Sequence, residues 1–270
     1  MKRNRMKRIS VASRLSRREV LGFLGGAAAM SVAGCFRSQA ASGKPTGTST
    51  TPNQTPTPTA IASSLPPTCV VKPQQTEGPY FVDEKLNRSD IRSDPSNGSV
   101  KQGVSLRLVF RVSAIAGRSC QPLAGAVVDI WHCDASGVYS DVTDRSFSTV
   151  GQKFLRGYQV TDANGMAEFV TIYPGWYPGR TVHIHFKIRT DSASEQGHEF
   201  TSQLYFDDAI TDQVYAQPPY ADQGQRSTRN ERDGIFGDGG EQLMLQLSQE
   251  AAAKEAQGYV GRFDLGLQVA

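Results

Sequence analysis

Short apolar runs broken by turn residues recur through most of this chain, and their spacing is that of strands. Residues 105–113 alternate apolar and polar side chains. Residues 181–189 do the same, with Val182, Ile184, Phe186 and Ile188 on one side and His183 and His185 on the other. Similar runs at 125–132, 167–173, 201–206, 243–247 and 258–267 predict further strands. Asp162-Ala-Asn-Gly165 is a hairpin signal, with Gly165 at the position that needs a positive φ. The alanine-rich run 250–256 predicts one short helix between the last two strands, and 207–236, polar and glycine-containing, reads as loops. Repeated strands with turn punctuation predict an all-β fold, a β-sandwich core with long loops and at most short helices.

The amino-terminal quarter follows another pattern. Residues 1–18 hold eight Lys or Arg and no acid, and an apolar stretch of small residues runs from Val20 to Ala33. This is the layout of a signal peptide, too short for a membrane span with these flanks. Ser16-Arg17-Arg18-Glu19-Val20-Leu21 resembles the twin-arginine export motif, and Val32-Ala33-Gly34-Cys35 resembles a lipobox that would make Cys35 an acylated first residue. Residues 35–67 are rich in Ser, Thr and Pro and read as a tether that cannot bury a core. The expected organisation is therefore a signal peptide at 1–34, a linker at 35–67 and one domain at 68–270. The expected location is the periplasm or cell surface, with a lipid anchor at Cys35.

Removing the leader reverses the charge. The whole chain carries +3, but residues 1–34 hold eight basic residues and Glu19, leaving 21 basic against 25 acidic residues, a net −4. Nothing in that balance supports nucleic-acid binding. Besides Cys35, the cysteines are Cys69, Cys120 and Cys133. An oxidising compartment allows one disulfide among the three. Cys120 and Cys133 stand at opposite ends of one expected strand, beyond bonding reach, so Cys69 with Cys120 is the preferred pair and Cys133 the buried free thiol.

The candidate chemistry sits in Tyr173-Pro-Gly-Trp-Tyr-Pro-Gly-Arg-Thr-Val-His-Ile-His185. Alternation puts His183 and His185 on one strand face, just after Tyr177, and Tyr139 supplies a second phenol upstream. Two imidazoles and two phenolates would suit a hard, oxidised metal, ferric iron best by ligand hardness. On spacing alone the His-x-His pair reads first as exposed or hydrogen-bonded strand histidines, and the neighbouring Tyr-Pro-Gly turn is what turns attention to a metal. Trp131 reads as core, and His132 and His198 fall outside the set.

Taken in order, several segments resemble the intradiol ring-cleavage dioxygenases, the protocatechuate and catechol dioxygenase family, and the exported single-domain members in particular. They are Gln75-Thr-Glu-Gly-Pro-Tyr80-Phe, Leu123-Ala-Gly-Ala-Val-Val-Asp-Ile-Trp131, Asp134-Ala-Ser-Gly-Val-Tyr139, Thr171-Ile-Tyr-Pro-Gly-Trp-Tyr177-Pro, Arg180-Thr-Val-His183-Ile-His185-Phe and Gln203-Leu-Tyr-Phe206. The resemblance implies a β-sandwich holding mononuclear, non-haem Fe(III). Tyr139, Tyr177, His183 and His185 would be the ligands. Tyr177 would be the one that leaves and takes a substrate proton. Arg180 and Gln203 would line the substrate pocket, with Arg180 stabilising negative charge. A catechol and O2 would be consumed to give a muconate-type diacid, and a homodimer is consistent with the family.

Only five residues separate Tyr177 from His183, fewer than in the cytoplasmic members. A more open pocket, tolerant of substituted or larger catechols, is the expectation. Two other readings compete. A non-catalytic surface β-sandwich binding module has no need for this combination of ligands. A zinc hydrolase would ordinarily add a carboxylate to its histidines, and none is suitably spaced here.

Overall fold

The computed structural model describes residues 70–117, 119–190, 197–250 and 258–268. In chain order the strands are β1 (Ser105–Ala116), β2 (Ser119–Pro122), β3 (Val127–Trp131), β4 (Arg156–Val160), β5 (Met166–Ile172), β6 (His183–Arg189), β7 (Glu199–Tyr205), β8 (Gln246–Glu250) and β9 (Gly258–Gln268). One helix, α1 (Asp208–Tyr215), follows β7. The fold is an all-β sandwich of two sheets. In the first, β1 pairs with β5 and β2 along one side and in parallel with β9 along the other, and β8 flanks β9. In the second, the order is β4-β3-β6-β7, all antiparallel.

Alternation fixes which faces meet. Leu106, Leu108, Phe110 and Val112 of β1 are completely buried, as are Ile184, Phe186 and Ile188 of β6. The Phe186 ring lies 5.4 Å from that of Phe110 and 5.5 Å from that of Phe263 on β9, so the two inner faces interlock through aromatics. Each such side chain removed from water contributes about 1.5–3 kcal/mol. The opposite face of β6 is buried as well. His183, His185 and Lys187 lie there under loops rather than under a second sheet.

Five expected strands, those at 105–113, 125–132, 167–173, 181–189 and 201–206, match β1, β3, β5, β6 and β7, and 258–267 matches β9. The run at 243–247 is only partly a strand. Gly240–Leu243 forms a 3-10 turn and the ladder starts at Gln246. Of the expected helix at 250–256, Glu250 closes β8 and the rest lies outside the described residues. Strand β4 went unread because Arg-Gly-Tyr-Gln-Val has no apolar alternation; its Arg156 is buried by tertiary partners instead. The presumed loops at 207–236 contain α1, whose Asp207 cap accepts from the backbone N–H groups of Ala209 and Ile210. The hairpin at Asp162 forms, with Gly165 at φ +72°. Cys120 is disulfide-bonded and Cys133 is free and buried; Cys69 lies outside the described residues.

His132, wholly buried after β3, is held between the Thr171 hydroxyl at 2.7 Å and the Cys133 carbonyl at 2.8 Å. Burial pushes its pKa down to about 4. The native ring therefore stays neutral at pH values where an unfolded histidine, titrating near 6.5, gains a proton. Its contribution is complete above pH ~6.5 and is lost as the pH falls towards ~4, by up to about 3 kcal/mol. Chemical denaturation from pH 7.5 to 4.5 is expected to show a flatter pH dependence in His132→Gln than in the parent. Identical slopes would exclude His132 as a source.

Candidate metal centre

The second sheet supplies the platform. Register places Trp131 of β3, His185 of β6 and Gln203 of β7 in one row across three strands, with His183 opposite Tyr205 in the next. The Trp131 ring stacks on that of His185, with centroids 5.1 Å apart and planes 7° from parallel. His183 turns its Nδ1 to the Thr181 carbonyl at 2.6 Å. That nitrogen carries the proton, so Nε2 presents its lone pair to the centre.

Two loops bring the phenols over this platform. Tyr139 follows a turn in which the Asp134 carboxylate accepts from the N–H groups of Ser136 and Val138. Its backbone is then pinned on both sides. Thr149 donates its hydroxyl to the Tyr139 carbonyl at 2.6 Å, and Arg156 of β4 donates to the Ser140 carbonyl. Tyr177 lies on the connection from β5 to β6. The loops touch backbone to backbone at two glycines. A Cβ on Gly175 would sit 2.4 Å from the Asp134 carbonyl oxygen, and one on Gly137 would sit 2.2 Å from that of Trp176. The Tyr80 ring lies 4.6 Å from that of Tyr139, its hydroxyl donating to Asp144 at 2.8 Å.

The result is convergence on His183 Nε2. The Tyr177 hydroxyl and His185 Nε2 each lie 3.1 Å away, and the Tyr139 hydroxyl and Arg180 Nη1 each 3.5 Å. One lone pair cannot satisfy four polar neighbours. Donor atoms each about 2 Å from a single cation lie about 3 Å from one another, which is the spacing found. Burial keeps the four ligand candidates uncharged on their own. It raises both tyrosines, lowers His183 to about 3 and lowers His185 still more clearly. Neutral imidazoles are already the ligating form, and a cation would supply the charge that lets phenols ionise. The donor set, two oxygens and two nitrogens with no thiolate, fits a hard ion such as ferric iron. Among the described residues no group of three or more His, Cys, Asp or Glu is placed to hold a metal ion, so the carboxylate-and-histidine arrangement of a zinc hydrolase has no counterpart there.

Arg180 and Gln203 complete the wall. Arg180 donates through Nη2 to Gln203 Oε1 at 2.6 Å and through Nε to Asp233 at 2.9 Å. Gln203 in turn donates to the Thr76 carbonyl. All six residues singled out in the sequence thus meet in one place, while His132 and the exposed His198 do not join them. Sequence reasoning missed four contributors. Trp131, read as core, backs His185. Tyr80 covers Tyr139, Arg156 pins its loop, and Asp233 holds Arg180. Tyr80 and Trp131 stood inside quoted motifs, without a role; Arg156 and Asp233 stood in none.

A family model described as Dioxygenase matches residues 76–225. Among solved structures, an intradiol ring-cleavage dioxygenase from Tetranychus urticae is 30% identical, with a TM-score of 0.62, over 74% of this chain and 96% of that one. Catechol 1,2-dioxygenase 1 of Acinetobacter lwoffii is 28% identical over 50% of this chain and 49% of its own length. The protocatechuate 3,4-dioxygenase beta chain of Burkholderia cepacia is 31% identical over 47% and 56%. The chain spans about half the length of the curated relatives it matches.

The glycine contact between the loops gives a test that leaves every candidate ligand in place. Gly175→Ala is expected to cost about 1–3 kcal/mol of stability and to lower the iron retained per folded protein, read by thermal melting and metal analysis. Parent-like values for both would show that the approach of the loops does not set the phenol positions.

Proposed function

This chain belongs to the intradiol ring-cleavage dioxygenase family, and from that premise we propose that it uses non-haem Fe(III) to cleave catechol-type diols with O2, giving muconate-type diacids. The observation that carries the reading is the meeting of Tyr139, Tyr177, His183 and His185 side-chain donors around one point. Bound ferric iron would template both catechol oxygens and draw electron density from the ring. The remaining chemistry belongs to the chain. Tyr177, half-buried on its loop, would be the ligand that gives way: ionised as a phenolate by the bound ion, its Oη would accept a catechol proton. Tyr139, 1% exposed beneath Tyr80, stays. Thr181 fixes the tautomer of His183 and Trp131 holds the plane of His185. Arg180 points Nη1 at the centre, where an N–H donor stabilises negative charge on a bound diol. Gln203 holds the neighbouring nitrogen.

The short connection between Tyr177 and His183 favours an accommodating pocket, so substituted and larger catechols belong to the proposed substrate class. We also propose export by the twin-arginine route, with Cys35 acylated and residues 35–67 as the tether.

The purified domain loaded with iron is expected to show a broad tyrosinate-to-iron visible band that moves to longer wavelength with anaerobic catechol. Air should then consume one O2 per ring and yield the diacid, identified by mass spectrometry. Tyr139→Phe should weaken the band and iron binding, and Tyr177→Phe should lower kcat at least about 100-fold. Unaltered iron content and turnover in both variants would refute the ligand assignment. Rates across catechol, protocatechuate, 4-substituted and caffeate-type catechols test breadth; a steep preference for one small diol would contradict it. For the tether, Cys35→Ala is expected to move the protein from the membrane fraction to the soluble one, and no change in partition would count against acylation.

A further inference from the structure

Arg180 has its nitrogens committed in three directions. Nε donates to Asp233 at 2.9 Å, Nη2 donates to Gln203 at 2.6 Å, and Nη1 is left facing His183 Nε2 at 3.5 Å. Gln203 lies on β7 and is placed by register. Asp233 comes from elsewhere, 53 residues beyond Arg180, in a segment with neither strand nor apolar pattern. Its side chain is 1% exposed, against 17% for that of Arg180.

The Asp233 carboxylate has both oxygens in use. Oδ2 takes the Arg180 Nε–H and also the backbone N–H of Thr181, at 2.7 Å. Oδ1 takes the N–H groups of Ile235 and Phe236 at 2.8 and 3.1 Å. Nearby, Asn230 accepts the Thr181 hydroxyl at 2.6 Å and donates to the Phe206 carbonyl. The segment 230–236 therefore grips residues 180 and 181 at the entry to β6, two residues before His183. Two effects follow. The guanidinium is held in one orientation by its edge, which a single hydrogen bond to Gln203 would leave free to pivot. Its charge is also offset locally. An unpartnered guanidinium this close to the donors would oppose the arrival of a metal cation.

We propose that Asp233 is a positioning residue for the reaction: it fixes and charge-balances Arg180 so that Nη1 faces the bound diol, without itself touching metal or substrate. The proposal rests on the reading that Arg180 acts on a bound catechol. It predicts that the effect of Asp233 passes through Arg180 and disappears when Arg180 is absent.

The test uses the parent, Asp233→Asn, Arg180→Gln and the double variant. In iron-free, 15N-labelled parent protein, the Arg180 Nε–H signal is expected to exchange slowly with solvent, and in Asp233→Asn that protection is lost. Retained protection would overturn the proposal. In iron-loaded protein, Asp233→Asn should lower kcat on catechol, counted per iron bound, by about tenfold or more with the resting visible band unchanged. In the Arg180→Gln background it should cost less than about twofold. Equal losses in the two backgrounds, or a loss explained wholly by missing iron, would overturn it. Should Asp233→Asn not fold, Asp233→Glu carries the same cycle, with a smaller loss that must again depend on Arg180. The exchange measurement needs neither iron nor substrate, so failure to cleave catechols would defeat the functional reading while leaving the exchange result to decide this one.

Discussion

Strand β6 has to satisfy two buried faces at once. Ile184, Phe186 and Ile188 enter the sandwich core, while His183, His185 and Lys187 are as deeply covered on the other side. A buried imidazole or ammonium is tolerated only with partners. Each polar residue on that face therefore requires something specific above it. Lys187 takes Glu77 and Glu199 and lies over the Phe81 ring. His183 takes the Thr181 carbonyl, while His185 has the flat of Trp131 against its ring and no hydrogen-bond partner at Nδ1. The loops that cover the sheet are shaped by those demands. A one-residue slip of β6 would put imidazoles into the core and Phe186 under the loops, so the sandwich and the centre stand or fall together.

The phenols are positioned differently. Neither belongs to the sheet; each rides on a loop, and the loops are locked to each other through backbone contact at Gly137 and Gly175. Tyr139 is pinned by Thr149 and, through Ser140, by Arg156. The Tyr177 loop is held through the neighbouring residue, where Gln223 donates to the Trp176 carbonyl at 2.6 Å. The imidazoles are thus held by a strand of the sheet and the phenols by loops pinned from outside. For the ligand exchange proposed above, a phenol carried on a loop could give way without moving the strand that holds the histidines.

Much of this was legible in the sequence where the signal was local. Alternation in 105–113 and 181–189 revealed β1 and β6 with their facing, and the same alternation put both histidines together. Tyr139, Tyr177, Arg180 and Gln203 were found through motifs whose order matches the family. What escaped was set by distant pairing. Strand β4 has no apolar period because its buried residues are Arg156 and Gly157, the arginine donating to the Ser140 carbonyl and hydroxyl. Asp233 looks like any loop aspartate until the fold brings Arg180 and Thr181 to it. Helix α1 is eight residues long with a weak apolar face, its start marked mainly by Asp207. Trp131 was assigned correctly to the interior, yet hydrophobicity alone could not say which side of the sheet it fills.

The parallel pairing of β1 with β9 runs from Leu106 opposite Tyr259 to Ile115 opposite Gln268. The earliest strand of the sandwich thus has the latest as its neighbour, in the middle of a sheet. During synthesis β1 must wait, with one whole edge unpaired, until nearly all of the domain has left the ribosome. An open central edge of Leu-Val-Phe character is a template for wrong partners. The β1–β9 ladder therefore cannot form until the strand made last of those described has been synthesised, so chain order sets the earliest moment at which this sheet can be complete.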